Sequence, residues 1–200
     1  MKTKLGEVST NNMVRVQEVL QREGVFSTSE SEKPILATYG VGPCVAIVGY
    51  SKKLKRGFVT HYDSLTDREF KKLDNPYWLP QSLGLVSYWG TKGAKDIVKY
   101  EIQIIQGQHN PELLNKLKKH INNMNSWNAD KIQLDVVNID IEISPTSEKN
   151  IALDLRTGES FSYNPMNNPQ RRISDQFMAM RLSFPSPLEW TIDKTIMNKK

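Results

Sequence analysis

Two hydrophobic periods alternate along this chain of 200 residues, and the changes between them mark its elements. Residues 12–23 carry Val14, Val16, Val19 and Leu20 among charged residues, with Gly24 behind them. That spacing predicts a short amphipathic helix with a glycine stop, although valine itself prefers strand. Residues 27–33 read as a polar loop. Three strands follow, over 34–39, 45–50 and 57–62, with a basic turn at 51–56 between the last two. The middle one is apolar on both faces, which places it centrally in a sheet.

Residues 66–74 read as a helix, capped by Ser64 or Thr66. Asn75-Pro76-Tyr77-Trp78-Leu79-Pro80 breaks it. Residues 82–90 fit helix or strand equally, 90–93 read as a loop, and 97–105 read as a strand. Asn110-Pro111-Glu112 is a helix start, with Asn as cap, Pro at the first helical position and Glu at the positive dipole end. Leu113, Leu114, Leu117, Ile121 and Met124 then form one apolar stripe. Residues 132–143 alternate, but the parity changes at Val136-Val137, which predicts a bulge or a break. Ile151, Leu153 and Leu155, the turn Arg156-Thr157-Gly158-Glu159, and then Phe161 and Tyr163 predict a hairpin. After Pro165 the pattern weakens. The expected organisation is one domain over 1–164 and a C-terminal extension over 165–200, whose apolar stretch 177–184 docks back on the domain.

Composition narrows the classes. The hydrophobic fraction is 38% and the charged fraction 24%, ordinary for a globular chain able to bury a core. No apolar run approaches the roughly 18 residues that a membrane span needs. The first residues lack an apolar segment of the Sec signal type. The net charge of +5 is spread in small clusters, the densest at Lys52-Lys53-Leu54-Lys55-Arg56, without interleaved aromatics. It reads as solvated surface, and nucleic-acid binding is not expected. One cysteine excludes an internal disulfide and fits a reducing compartment.

That cysteine is where chemistry concentrates. Cys44 follows Thr38-Tyr39-Gly40-Val41-Gly42-Pro43 and opens the apolar run Val45-Ala46-Ile47-Val48. His61 ends the next strand, so an antiparallel pair returns it to the level of Cys44. A thiol nucleophile needs a base, which His61 can supply, and a third group to orient the imidazole. Thr38 and Asp63 are the candidates. Gly40 and Gly42 permit a sharp turn and close approach. An anionic tetrahedral intermediate also needs N–H donors. The amide of Cys44 is available, but Pro43 has none, so a second donor must come from elsewhere. His109 and His120 read as structural or solvated. The three histidines and one cysteine give no metal-ligand spacing, and no cofactor motif is present.

Residues 34–46 resemble the T-x-G-[LV]-G-S-C-V-A segment of the chemoreceptor glutamine deamidase CheD family. His61, at the end of the strand that Gly57 opens, resembles the histidine at that family's G-x-x-H strand end, with three residues here between glycine and histidine. Weaker likeness continues through Gly93-Ala94-Lys95, the helix after Asn110 and the hairpin with Thr157-Gly158, to about Tyr163. Pro43 departs from the family's serine, and residues 165–200 have no counterpart. The resemblance implies an α/β fold with mixed or antiparallel sheets stacked as a sandwich and helices outside. It implies that Cys44 is nucleophile, His61 base and Thr38 its orienting group, with no cofactor and no metal. The expected function is deamidation of a glutamine side chain on a partner protein, in the cytoplasm or as an effector exported without a Sec signal. The alternatives are another cysteine acyl transfer, such as proteolysis or transamidation, and an inactive binding module on the same scaffold.

Overall fold

In a computed structural model, residues 2–42, 44–62, 79–107, 111–141, 149–171 and 189–198 are described. Among them, eleven strands form two mixed sheets. In chain order the strands are β1 (Lys2–Glu7), β2 (Val16–Glu18), β3 (Glu23–Thr28), β4 (Ile35–Val41), β5 (Val45–Ser51) and β6 (Arg56–Tyr62). They continue with β7 (Val98–Gln106), β8 (Ile132–Ile141), β9 (Lys149–Asp154), β10 (Glu159–Ser162) and β11 (Glu189–Ile192). Three α-helices accompany them: α1 (Leu79–Thr91), α2 (Pro111–Trp127) and α3 (Lys194–Met197). The five-stranded sheet has the order β1-β10-β9-β4-β2, and the six-stranded sheet β11-β3-β6-β5-β7-β8.

Strand alternation decides what lies between the sheets. On β4, Leu36 and Thr38 face one way and Ile35 and Ala37 the other. Leu36 belongs to one buried cluster with Ala46, Val48 and Tyr50 of β5, Val59 of β6, Ile105 of β7, and Ile151 and Leu153 of β9. This cluster draws on both sheets, so they pack face to face through it. The opposite face of the six-stranded sheet carries Val45, Ile47, Phe58, Tyr100, Ile102 and Ile104, and helix α2 covers it with Leu114, Leu117, Ile121 and Met124. The outer face of the other sheet has its own small core, from Val16, Ile35, Ala37, Ala152 and Tyr163. Each fully buried large apolar side chain contributes about 1.5–3 kcal/mol.

Strand β5 is buried along its whole length between β6 and β7, as its two-faced apolarity predicts. The bulge in β8 is also present. Ile102 pairs with Val136 and Gln103 with Asn138, which leaves Val137 as the extra residue. The hairpin of β9 and β10 has the expected antiparallel register. Residues 82–90 resolve as part of α1.

Residues 12–23 depart from the expected helix. A 3-10 turn over Thr10–Arg15 passes into β2, which pairs in parallel with β4, and a turn then leads into β3. Met13, Val16 and Val19 are buried and Val14 is exposed. The apparent helical spacing is thus a composite of a 3-10 turn, a strand and a turn, and the β-branched valines follow their own preference. The helix expected over 66–74 and the apolar stretch 177–184 lie outside the described residues. Residues 189–192 extend the six-stranded sheet beside β3, and Ile196 of α3 is fully buried in the helix-side core.

Candidate active site

The segment around Cys44 is shaped by a local break in strand pairing. Thr38 pairs with Ile151 and Val41 with Lys149, so β4 carries one residue more than β9 over this stretch. Such a bulge re-aims the chain beyond it. Gly40 sits in the bulge at φ +70°, where an L side chain is strained. Its N–H donates to Asn150 Oδ1 at 2.9 Å, and the Gly42 N–H folds back to the Gly40 carbonyl at 2.9 Å. Gly107, just past β7, lies directly under this turn. A Cβ at position 107 would stand 1.9 Å from the Val41 carbonyl oxygen and 2.7 Å from Gly42 Cα.

Cys44 comes off this turn one residue before β5 and is 4% exposed, within the core shared by the two sheets. The ladder of β5 and β6 pairs Val45 with Tyr62 and Ala46 with His61. Cys44 therefore stands one step past the last pair, on the same face as Ala46 and diagonal to His61. Diagonal neighbours in an antiparallel pair are about 7–8 Å apart, within reach of a long side chain.

Thr38 reaches His61 from the opposite sheet. Its Oγ1 lies 2.7 Å from His61 Nδ1, and both side chains are buried. When the hydroxyl accepts from Nδ1–H, Nε2 keeps its lone pair, and the imidazole is set up as a base through that nitrogen. The structure thus brings Thr38, Cys44 and His61 to one end of the inter-sheet space. This is the end at which β6, β7 and β8 finish and β9 begins.

A fourth residue joins them. Gln21 Nε2 donates to Cys44 Sγ at 3.5 Å. Gln21 sits on the turn between β2 and β3, 23 residues from Cys44 in sequence. No local motif announces it. Its position depends on β2 lying beside β4 and β3 beside β6. Gly107 and Asn150 likewise read as an isolated glycine and a strand polar residue, and only the tertiary packing gives them their roles.

Compared with known proteins, the chain matches no family model and no curated protein. The residues alone therefore carry the chemical argument. His120 lies half-buried on α2, which covers the other face of the six-stranded sheet, and so stands away from Cys44. Pro43, Asp63 and His109 lie outside the described residues. Among the described residues, no group of three or more His, Cys, Asp and Glu is placed to hold a metal ion. No helix of the described residues is long and apolar enough to cross a membrane.

Proposed function

We propose that the chain is a cysteine-dependent protein glutamine deamidase, acting by the mechanism of the CheD-like enzymes on a related sandwich. The observation that carries the reading is the Thr38–His61 contact of 2.7 Å across the two sheets, on the same face as Cys44. Two independent sheets would not otherwise need to place a hydroxyl on the ring nitrogen of a buried histidine beside the chain's one cysteine. The resemblance of residues 34–46 to the deamidase segment supports the same roles.

In this reading, Thr38 holds the His61 tautomer and His61 Nε2 takes the Cys44 proton. The thiolate attacks the carbon of a glutamine carboxamide on a partner protein. The C=O electron pair moves onto oxygen, then returns as the C–N bond breaks. His61 gives its proton to the leaving ammonia. Water, deprotonated by His61, hydrolyses the thioester and leaves glutamate. Proton transfer from a positioned base supplies about 10²–10⁴ in rate. No cofactor enters any step. The test is ammonia release when the chain is incubated with protein lysate. The wild type releases ammonia, and Cys44→Ser and His61→Ala do not. Release by Cys44→Ser at the wild-type rate would overturn the reading.

A second reading rests on burial. At 4% exposure, Cys44 offers little surface to a substrate. A binding module that kept the scaffold and lost the chemistry has a thiol closed to reagents. Iodoacetamide separates the two, since an enzyme is alkylated in its native state and a closed module only on unfolding.

A further inference from the structure

A cysteine acyl-transfer site needs two donors aimed at the oxygen that becomes negative. The backbone of this chain provides the Cys44 amide but nothing from the residue before it, because Pro43 has no N–H. We infer that the carboxamide of Gln21 is the second donor, and that Gln21 is a catalytic residue of this site. The inference rests on the acyl-transfer chemistry proposed above. Its Nε2 already donates to Sγ at 3.5 Å. The oxygen of the tetrahedral intermediate is bonded to the carbon that Sγ attacks, two bonds from the sulfur. As negative charge leaves sulfur for that oxygen, the same N–H needs only a small reorientation to follow it.

The turn that presents Gln21 is held from both sides. The Val19 N–H donates to the Ala37 carbonyl of β4 at 2.7 Å, next to Thr38. The Arg22 N–H donates to the carbonyl of His61 itself at 2.7 Å. Between them, the Leu20 N–H donates to Glu23 Oε2 and the Glu23 N–H to the Leu20 carbonyl, both at 3.0 Å. Arg22 is in the left-handed region at φ +65°, a conformation that persists only where its surroundings impose it. Gln21 is thus anchored to the backbone of the two strands that carry Thr38 and His61. A donor fixed in this way needs little reorganisation as charge develops, which is what makes such donors effective.

Two reagents with different transition states test this. Iodoacetamide is displaced at a saturated carbon and forms no oxyanion. p-Nitrophenyl acetate is attacked at a carbonyl. The S–C bond forms, the C=O pair moves to oxygen, and p-nitrophenolate leaves with its bonding pair. In Gln21→Ala, acylation by the ester is expected to fall about a hundredfold, the cost of one oxyanion donor. Alkylation at a pH where the thiol is fully ionised is expected to be unchanged. Gln21→Met, of similar size and uncharged but without the donor, is expected to behave alike, which guards against a folding defect in Gln21→Ala. Equal losses with both reagents, or none with either, overturn the inference.

A wild type that is alkylated but not acylated also overturns it, while leaving Cys44 a nucleophile. A wild type inert to both reagents removes the deamidase reading as well. Ammonia plays no part in this readout. A chain acylated with the help of Gln21 that deamidates nothing keeps the inference and loses only the deamidase reading. Conversion of Gln21 itself to glutamate, seen by peptide mapping, overturns the donor role, since its carboxamide would then stand where a substrate stands.

Discussion

Thr38 Oγ1 and His61 Nδ1 meet at 2.7 Å across the space between two separate sheets. The hydroxyl belongs to β4 of the five-stranded sheet and the imidazole to β6 of the six-stranded one, and the turn that carries Gln21 hydrogen-bonds to both strands. The orientation of the base is therefore a property of how the sheets stack. Thr38→Ser keeps the hydroxyl and is expected to keep reactivity. Thr38→Val keeps the shape and removes it. Ester acylation is then expected to drop about tenfold to a hundredfold, part of what a positioned base contributes. Loss of that buried partner also costs about 1–3 kcal/mol in denaturant unfolding. A silent Thr38→Val would take the orienting role away from Thr38.

Cys44 and His61 act as one unit in this account. Each of Cys44→Ser and His61→Ala is expected to abolish acyl transfer with the fold intact by circular dichroism. The double variant is expected to be little worse than either single one, because a thiol without its base and a base without its thiol are equally idle. Losses that multiply in the double variant would mean that the two residues contribute separately.

The two glycines at the nucleophile turn are expected to fail differently. Gly107→Ala puts a methyl group against the Val41 carbonyl and Gly42, with no flexible side chain to yield. It is expected to cost about 1–3 kcal/mol and to displace Cys44, so that alkylation slows more than stability alone accounts for. Gly40→Ala meets nothing within 4 Å but is held at φ +70°. Its expected cost is the backbone strain alone, about 1–2 kcal/mol. Thermal unfolding and alkylation rates measured together separate the two effects.

Asp193 ties α3 to the sheet. Burial pushes its carboxyl up, but hydrogen bonds from Ser31 Oγ at 2.6 Å and from Thr195 outweigh this and hold it below the usual carboxylate range. A lowered folded value means stability that is present above the unfolded carboxyl's value of about 3.9 and lost as pH falls through the folded one. Protection of β11 and α3 from hydrogen exchange, taken relative to the intrinsic exchange rate at each pH, is therefore expected to fall on acidification from about pH 5 downward. In Asp193→Asn this dependence is expected to vanish. An unchanged profile in Asp193→Asn would mean that another group sets the acid limit.

Much of this site was legible before the fold. The strands around Cys44 declare themselves by period and by the turn signals between them, because their apolar faces are continuous and β5 pairs with β6, the next strand in the chain. The pairing of β4 with the distant β9 carries no such mark. Val137 was legible because a parity change can only be a bulge or a break. Gln21 was not, since a polar residue in a turn carries no mark of which distant side chain it will meet. Residues 12–23 misled for a related reason. A 3-10 turn, a three-residue strand and a turn in succession imitate helical spacing, and only the parallel pairing of β2 with β4 decides between them. Gly107 looks like any glycine after a strand until Val41 is seen against it.

The central claim is that Cys44 passes a glutamine side chain through a thioester to glutamate. The direct measurement is peptide mapping of a protein lysate treated with the chain in heavy-oxygen water, beside a Cys44→Ser control. The account predicts defined glutamines converted to glutamate, each carrying one solvent oxygen in the new carboxyl group, and none in the control. Cleaved peptide bonds, or glutamines joined to amines in place of hydrolysed ones, would contradict it.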